Sequence, residues 1–366
     1  MKAGRVFFAV LNMGLGHATR SLPLMQGFRE RDWQLTVGSS GRALALLRDE
    51  LPGVPALTCP DYRLRYADHR FLVPTLLAQI PRVLAGIAAE RRVCRQVVAE
   101  HGIDLVVSDQ CFGMAHPDRP SLFISHQLTY AMPGLLAPLR PLGGYLNGLI
   151  HHWFDAVVVP DLPADGGGQL SGTLSEARTS VPVHFIGPTA SLPAVGNAVP
   201  PLDLFVSISG PEPQRTRFED IVLGQAAALP PRTEIVLGRS ETRESHTIRP
   251  GLIVHSHLSR REMALRMAGA ALVLTRPGYS TVMELAERNR KALFVPTPGQ
   301  TEQEYLARHL AARGACHWVD QDHLDLARDL SAAAACAGLA PVQGGTTASV
   351  QRFFAAVVDP LRESRP

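Results

Sequence analysis

Short apolar segments alternate with longer segments of helical spacing in the first half of the chain. Apolar runs of this length, separated by connections long enough for a helix, are typical of a parallel sheet covered on both faces. The pattern therefore predicts a doubly wound α/β domain over residues 1–190. The predicted strands are RVFFAVL (5–11), LTVGS (35–39), DLVVSD (104–109), SLFISH (121–126), DAVVVPD (155–161) and PVHFIG (182–187).

A proline-rich segment, GPTASLPAVGNAVPP (187–201), ends this alternation. Its composition sustains neither a helix nor a central strand, so we place a linker at 191–201. The alternation then restarts and predicts a second α/β domain over 202–344, followed by a C-terminal helix within 345–366. The strands predicted for the second domain are LDLFVSISG (202–210), TEIVLG (233–238), GLIVHS (251–256), AALVLTRPG (270–278), KALFVPTPG (291–299) and ACHWVD (315–320).

Composition narrows the class of protein. The net charge is +3, and charges of both signs are interspersed, so the clustered basic stripe of a nucleic-acid-binding protein is missing. The five cysteines lie far apart and form no CxxC pair, which favours reduced thiols over a zinc site or a disulfide framework. A strand begins within five residues of the N-terminus, which leaves no room for a signal peptide. We expect a cytoplasmic protein without a nucleic-acid partner.

The first predicted strand runs into a glycine turn and a helix, NMGLGHATRS. A dinucleotide fingerprint needs a third glycine, where this chain has Thr19, and an acidic residue after the second strand, where it has Gly38 and Ser39. The nicotinamide and flavin interpretations therefore lose their support. Gly14 and Gly16 still let the backbone approach a ligand. His17 lies at the carboxyl end of a strand, where it is either a catalytic base or a partner for a backbone carbonyl near the helix start.

The most informative segment is LVLTRPGYSTVMELAERNRKALFVPTPGQTEQEYLARHL, residues 272–310. The amides of Gly278, Tyr279, Ser280 and Thr281 begin a predicted helix and are suited to a diphosphate. Glu284 lies one turn further along and is able to accept both hydroxyls of an attached ribose. Gln303, after the next strand, offers an amide suited to sugar hydroxyls. The alternative to ligand binding is that Glu284 and Gln303 are ordinary solvated helix residues.

These motifs resemble family 28 glycosyltransferases and, more loosely, UDP-glucuronosyltransferases. RPGYSTVMEL and ALFVPTPGQTEQEYLA are similar to the family's glycine loop with Glu and proline loop with Gln, and GLGHATRSLPLMQGFRERDWQLTV and LFISHQLTYAMPG resemble its N-terminal loops. The resemblance covers nearly the whole chain. It implies the GT-B fold, with two Rossmann-like domains facing across a cleft, the acceptor on the first domain, the nucleotide sugar on the second, and a last helix that crosses back.

The resemblance also implies roles for individual residues. Ser209 and Gly210 correspond to a loop near the phosphates, although Pro211 and Pro213 replace the family's usual paired glycines. His257 and Leu258 correspond to the place where the family recognises uracil, or they form an ordinary loop before a helix that opens at Ser259. The full set of donor-binding candidates is Ser209, Gly210, His257, Leu258, Arg276, Gly278, Tyr279, Ser280, Thr281, Glu284, Gln300 and Gln303.

Glycosyl transfer needs a base for the acceptor hydroxyl and dipoles or cations for the leaving diphosphate. We expect His17 to be this base or to orient it. Asp109 and His126 are alternative acid–base candidates, unless they only form hydrogen bonds within the cleft. Arg276 and the 278–281 helix start are assigned to stabilising the leaving group. Asp320-Gln321-Asp322 spells the DxD motif of metal-dependent glycosyltransferases, but Asp322 and Asp325 fit helix capping better. We therefore expect no metal and no cofactor beyond the UDP-sugar donor.

The sequence thus predicts an inverting glycosyltransferase that uses a UDP-sugar and a small or lipid-linked acceptor. Two alternatives stay open, a UDP-sugar 2-epimerase and a non-catalytic nucleotide-sugar-binding protein. Pro74, Pro81 and Arg82 interrupt the longest apolar run, which argues against a membrane-spanning helix. The stretch 71–95 and the segment His151–Trp153 leave open a peripheral contact with the inner face of the membrane; the alternative is that they face the core.

Overall fold

A computed structural model describes residues 4–62, 72–129, 140–176, 178–196, 199–239 and 241–363. The chain divides into two compact units, Met1–Ser191 with Gln343–Pro366, and Leu192–Val342. Residues 192–201, predicted as part of a linker, are thus counted with the second unit. One reason is local contact, because the backbone at Leu192 is bound by Glu284 and the Pro200 carbonyl packs against Gly269.

The first unit is built on a seven-stranded parallel sheet with the order β3-β2-β1-β4-β5-β6-β9. Its strands are β1 (Arg5–Val10), β2 (Gln34–Ser39), β3 (Ala56–Thr58), β4 (Leu105–Asp109), β5 (Ser121–Ile124), β6 (Ala156–Val159) and β9 (Val183–Phe185). A small hairpin, β7 (Pro163–Ala164) and β8 (Gly167–Gly168), follows β6. The helices are α1 (Gly16–Arg29), α2 (Gly41–Glu50), α3 (Leu72–His101) and α4 (Arg140–His151), with a 3-10 turn at Thr173–Ser175.

Alternation along β1 explains why both faces of this sheet are covered. Val6, Phe8 and Val10 lie in the core that includes α1 and α2, whereas Phe7 and Ala9 lie in the core that includes α3. Successive strand residues point to opposite faces, so an entirely apolar strand needs helices on both sides. The predicted α/β class is confirmed.

The second unit has its own seven-stranded sheet with the order β12-β13-β11-β10-β14-β15-β16. Its strands are β10 (Leu202–Ser207), β11 (Thr233–Val236), β12 (Ser245–Arg249), β13 (Leu252–His255), β14 (Ala270–Thr275), β15 (Lys291–Phe294) and β16 (His317–Trp318). The helices are α5 (Gln214–Gly224), α6 (Arg260–Gly269), α7 (Tyr279–Glu287), α8 (Thr301–Ala311) and α9 (Leu326–Ala335), with 3-10 turns at Ala226–Ala228 and Gln321–His323. Among the strands described in this sheet, β12 pairs antiparallel with β13 and the other neighbours pair parallel. Four of the five residues of β12 are exposed.

The last segment of the chain packs on the first unit. It forms α10 (Gly345–Phe353), a π-helical turn (Phe354–Val358) and α11 (Asp359–Glu363). The ring centroids of Phe28 on α1 and Phe354 are 4.8 Å apart. A Cβ on Gly27 would lie 2.7 Å from Val350 Cγ1, so α1 approaches α10 closely only because residue 27 is glycine.

Two of the sequence predictions concern membrane-spanning helices and the acceptor-side loop. Within the described ranges, none of the helices combines the length and the hydropathy required to cross a bilayer. The predicted acceptor-side loop LFISHQLTYAMPG falls partly outside the described residues, which stop at 129 and resume at 140.

Candidate active site

A buried polar cluster lies at the carboxyl edge of the first sheet, where β1, β4 and β5 end side by side. His17 is in the first turn of α1, Asp109 is the last residue of β4 and His126 follows β5. Carboxyl ends of neighbouring parallel strands meet at one edge, which is where open α/β sheets bind ligands. The structure brings together all three residues that the sequence predicted as acid–base candidates.

Asp109 is the centre of this cluster. Its Oδ1 lies 2.8 Å from Nδ1 of His17, and its Oδ2 accepts hydrogen bonds from Arg20 Nε and Ser21 Oγ, each at 2.8 Å. Arg20 Nη2 donates to Oδ1 as well, and Arg20 Nη1 lies 2.6 Å from Nδ1 of His126. Burial alone would raise the pKa of Asp109, but the charges and hydrogen bonds of Arg20 and His17 hold it well below its usual range. Asp109 is therefore a carboxylate at neutral pH.

These partners determine where the imidazole protons are. A carboxylate only accepts hydrogen bonds, so Nδ1 of His17 must donate and the lone pair of neutral His17 is on Nε2. A guanidinium only donates, so Nδ1 of His126 must accept. The His17 side chain is 12% exposed and Asp109 is 0% exposed, whereas His126 is 4% exposed. Among the three candidates, His17 is therefore the one that an acceptor molecule reaches most easily.

Arg20 and Ser21 belong to this cluster but were missed by the sequence analysis. They lie three and four residues after His17 on α1, and residues with this spacing share one helix face. The spacing was a usable signal, because it places both side chains beside His17. Gly14 adopts a φ of +78° in the turn before α1, and Gly16 is the first residue of the helix. A glycine at position 14 is needed because L-residues rarely adopt this conformation.

The second candidate region is the start of α7 at the carboxyl edge of the second sheet. Gly278 precedes the helix, and no side chain caps it. A Cβ on Gly278 would meet only Thr281 Oγ1, at 3.9 Å, so the space beside this residue is open. Tyr279 is buried, whereas Ser280 and Thr281 are half-buried. The region has the amides and hydroxyls that suit an anionic ligand.

Glu284 is 6% exposed and bound on both of its carboxylate oxygens. Its Oε1 accepts from the backbone N–H of Leu192, and its Oε2 from Arg288 Nη1, each at 2.7 Å. Arg288 Nη2 also donates to the Leu192 carbonyl at 3.0 Å. The carboxylate is therefore held by hydrogen bonds from its own chain. It is not the solvated helix residue that the alternative interpretation assumed.

Arg276, which the sequence analysis assigned to stabilising the leaving group, is held inside the protein rather than presented at the surface. The residue is 2% exposed, and its guanidinium points into the protein. Burial lowers the pKa of Arg276 to about 9, so the side chain is still a cation at neutral pH. It donates to the carbonyl oxygens of Ser209 (3.3 Å), Gln214 (3.1 Å), Val295 (2.9 Å) and Pro296 (2.9 Å), and to Gln321 Oε1 (2.5 Å).

The predicted role of Gln303 as a sugar ligand also meets a competing contact. Its Oε1 accepts from the backbone N–H of Thr297 at 2.8 Å, so the side chain ties down the loop after β15. Gln300 is the residue before α8 and is half-buried. Ser209 and Gly210 are exposed, and Gly210 has a φ of +120°. Proximity of these residues to a donor sugar remains a prediction.

The segment predicted to recognise the base has the local structure expected from its sequence. His257 is half-buried and Leu258 is buried, immediately before α6. Ser259 caps α6 and forms a capping box with Glu262, which confirms the helix start predicted there. The contact of His257 and Leu258 with a base stays a prediction.

The middle residue of the DxD tripeptide, Gln321, accepts a hydrogen bond from Arg276 after β14, whereas the aspartates predicted to cap a helix make other contacts. Asp325 caps α9 by accepting from the backbone N–H of Arg328 at 3.1 Å, and exposed Asp322 lies 3.5 Å from Arg217. Over the ranges that the structure describes, no three His, Cys, Asp or Glu side chains form a group able to hold a metal ion.

Comparison with known proteins links this architecture to one enzyme class. The C-terminal domain model of glycosyltransferase family 28 matches residues 238–335. The chain is 27% identical over 328 residues to the UDP-N-acetylglucosamine–N-acetylmuramyl-(pentapeptide) pyrophosphoryl-undecaprenol N-acetylglucosamine transferase of Methylobacterium sp. strain 4-46, with 82% of this chain and 79% of the relative covered. It is 26% identical over 326 residues to an uncharacterized glycosyltransferase of Methanopyrus kandleri, with 82% and 86% covered.

Solved structures show the same fold at low sequence identity. The calicheamicin glycosyltransferase CalG4 superposes with a TM-score of 0.66 at 17% identity, over 100% of both chains. MurG of Acinetobacter baumannii superposes with a TM-score of 0.60 at 16% identity, over 98% of this chain and 99% of the other.

Proposed function

Because the chain is a glycosyltransferase of the family 28 type with the GT-B fold, we propose that it transfers a sugar from a UDP-sugar to an acceptor hydroxyl with inversion at the anomeric carbon. The observation that supports this most directly is the His17–Asp109 pair, in which a carboxylate fixes the proton on Nδ1 and directs the basic lone pair to Nε2. A nucleotide-binding protein without catalytic activity has no need of such a pair.

The reaction follows from this arrangement in one displacement. His17 Nε2 takes the proton of the acceptor hydroxyl as the oxygen attacks the anomeric carbon of the donor. The bond between that carbon and the diphosphate breaks, and UDP leaves with the electron pair. Asp109 stabilises the imidazolium that forms, because its carboxylate lies 2.8 Å from Nδ1. Attack opposite the leaving group inverts the anomeric centre.

The second unit supplies the donor site in this proposal. The uncapped amides at the start of α7 suit the diphosphate, since a helix N-terminus favours negative charge. We assign the ribose hydroxyls to Glu284, one turn further along α7, where they share or displace the hydrogen bonds that its carboxylate accepts from Leu192 and Arg288. The donor is a UDP-sugar in this proposal because family 28 relatives include an enzyme named for a UDP-N-acetylglucosamine donor.

We propose further that the acceptor is lipid-linked and is met at a membrane surface. The relative from Methylobacterium is named for an undecaprenol-linked acceptor. In this chain, Ile80 and Leu84 are 47% and 60% exposed on α3, and Arg91 and Arg95 follow on the same helix face. Arg91 lies over the ring of Trp153, 3.6 Å from its centroid, and Trp153 is 38% exposed. Exposed apolar side chains beside cations suit an anionic lipid surface.

The epimerase alternative has less support than the transferase. The family match and the named relatives are glycosyltransferases. An epimerase acts without an acceptor, so UDP release that requires an added acceptor separates the two reactions.

Nucleotide binding tests the proposed donor site. UDP and UDP-sugars should raise the melting temperature of the protein, and ADP should not. Glu284→Ala should weaken UDP binding by about 10- to 100-fold, because a hydrogen bond to a charged group contributes about 1.5–3 kcal/mol. Glu287→Ala, on the same helix, is the control and should bind UDP normally. If no UDP compound stabilises the wild-type protein, the proposed function is wrong.

A further inference from the structure

One residue of the second unit, Arg276, is a deeply buried cation. Arg276 is 2% exposed, and its five N–H groups all meet neutral acceptors, four backbone carbonyls and the side-chain oxygen of Gln321. The guanidinium also lies over the ring of Phe218, 4.3 Å from its centroid. Among the residues that the structure describes, no carboxylate forms a salt bridge with it. Buried charges are normally paired with an opposite charge. In Arg276 the hydrogen bonds are satisfied, but no described carboxylate neutralises the charge.

The acceptors come from loops that border the proposed donor site. Ser209 follows β10, Gln214 begins α5, and Val295 and Pro296 follow β15. Arg276 itself follows β14, the strand between β10 and β15 in the sheet. One side chain therefore joins the loops at the carboxyl ends of three adjacent strands. An insertion or rotation in any one of these loops would break at least one of its hydrogen bonds.

The guanidinium also lies directly behind the surface of these loops. A Cβ on Gly210 would be 3.8 Å from Arg276 Nε, and Gly210 is exposed. Gly278, which opens α7, is only two residues further along the chain. The positive charge therefore lies close to the exposed backbone of a loop that borders the proposed diphosphate position. Because Arg276 is only 2% exposed, its charge is screened less than a surface charge would be.

We propose that Arg276 is a positioning residue for the donor diphosphate, which it attracts through the loops without touching it while it holds those loops together. This proposal rests on the proposed function. It assigns the anion selectivity of the site to a residue that the ligand does not contact. The bound diphosphate then supplies a negative charge that none of the described side chains places beside Arg276.

Gln321→Glu tests the electrostatic part without removing Arg276. Gln321 Oε1 already accepts from Arg276 Nη2, so the substitution places a carboxylate on the cation and keeps the acceptor in position. Gln321 Nε2 donates to Gln214 Oε1 at 2.9 Å, and rotation of the Gln214 amide is able to restore this contact. We expect UDP affinity to fall about tenfold or more while uridine affinity changes less than about threefold.

Three further variants complete the experiment. For each variant, the measured quantity is the ratio of its affinity for UDP to its affinity for uridine. Arg276→Lys keeps the charge and should keep most of the preference for UDP, whereas Arg276→Gln should lose it. Gln225→Glu adds the same charge where the native side chain bonds the backbone of Leu324 and Leu326, and it should leave the ratio unchanged. The ratio is taken within one folded protein, so a variant with reduced stability still gives an answer.

The outcomes separate this proposal from the proposed function. If the wild-type protein prefers UDP to uridine and Gln321→Glu leaves the preference unchanged, the role of Arg276 is overturned and the function stands. If the wild-type protein binds neither UDP nor UDP-sugars, the proposed function fails first. A loss of preference in Gln225→Glu equal to that in Gln321→Glu would also overturn the proposal, because the effect would not be specific to Arg276.

Discussion

Asp109 organises the residues around His17 because several donors share one buried carboxylate. Arg20 contacts both of its oxygens, Ser21 contacts Oδ2 and His17 contacts Oδ1. The charge of Arg20 compensates that of Asp109 when His17 is neutral, so a proton gained by His17 makes the group net positive. In the proposed reaction, Asp109 stays ionised and stabilises this imidazolium.

Replacement of His17 tests its assignment as the base. His17→Ala should lower the rate of sugar transfer by about 10²- to 10⁴-fold, which is the usual contribution of a general base, and should leave UDP binding unchanged. Asp109→Asn should also slow transfer, because an amide no longer fixes the His17 tautomer. The measurement is acceptor-dependent release of UDP. His101→Ala, at the end of α3, is the control, and wild-type transfer by His17→Ala would assign the base to another residue.

Single residues also show the limit of prediction from sequence. His17, Asp109 and His126 were predictable because each lies at the carboxyl end of a strand, and the sheet brings such ends together. The orientation of Arg276 was not predictable. The tripeptide Arg-Pro-Gly is compatible with a guanidinium that faces a ligand or one that faces the core, and only the carbonyls of distant segments decide between them.

At the scale of elements, a buried carboxyl connects α3 with the loop after β4. Glu90 Oε2 accepts from Tyr62 Oη at 2.5 Å and from the backbone N–H of Gly113 at 2.7 Å. Tyr62 Oη in turn accepts from the N–H of Phe112 at 2.9 Å. Burial raises the pKa of Glu90 from 4.5 to about 7, although these hydrogen bonds oppose the shift. The link between the two elements therefore depends on pH.

The sign of this dependence follows from proton binding. Between pH 4.5 and about 7, Glu90 keeps its proton in the folded protein and loses it in the unfolded chain. Rising pH therefore lowers the free energy of unfolding, by about 1.4 kcal/mol per unit of pKa shift and about 3 kcal/mol in all. Glu90→Gln cannot ionise and should show a flatter profile than the wild type. Urea unfolding at pH 5, 6, 7 and 8 measures the difference, and parallel profiles would contradict it.

Elements within apolar runs were predictable, and interrupted or polar ones were not. Every strand predicted from an apolar run is present, because a strand buried on both faces must be apolar throughout. β3 was missed because Pro55 and Pro60 lie on either side of it and interrupt the apolar pattern. β12, SHTIR, was missed because an exposed edge strand does not need apolar residues.

At the scale of the whole molecule, the exposed apolar side chains of the first unit support the proposed contact with a membrane. The protein should float with vesicles that contain phosphatidylglycerol and less with vesicles of phosphatidylcholine alone, because Arg91 and Arg95 accompany Ile80 and Leu84. Leu84→Glu should reduce binding about tenfold or more, since burial of a leucine contributes about 1.5–3 kcal/mol. Ile248→Glu is the control, because Ile248 is 53% exposed in the second unit. Equal loss in both variants, or no binding by the wild type, would contradict the prediction.

The sequence by itself determined the α/β class, the strand edges where chemistry is possible and the resemblance to glycosyltransferases, because periodicity and short motifs are local properties of the chain. Tertiary structure alone decided which side chains share Asp109, that Leu192 binds Glu284, and that Arg276 faces inward. These contacts join residues as far apart as positions 192 and 284, or 20 and 126. Their geometry depends on how strands are ordered and packed in the sheet, which no local pattern encodes.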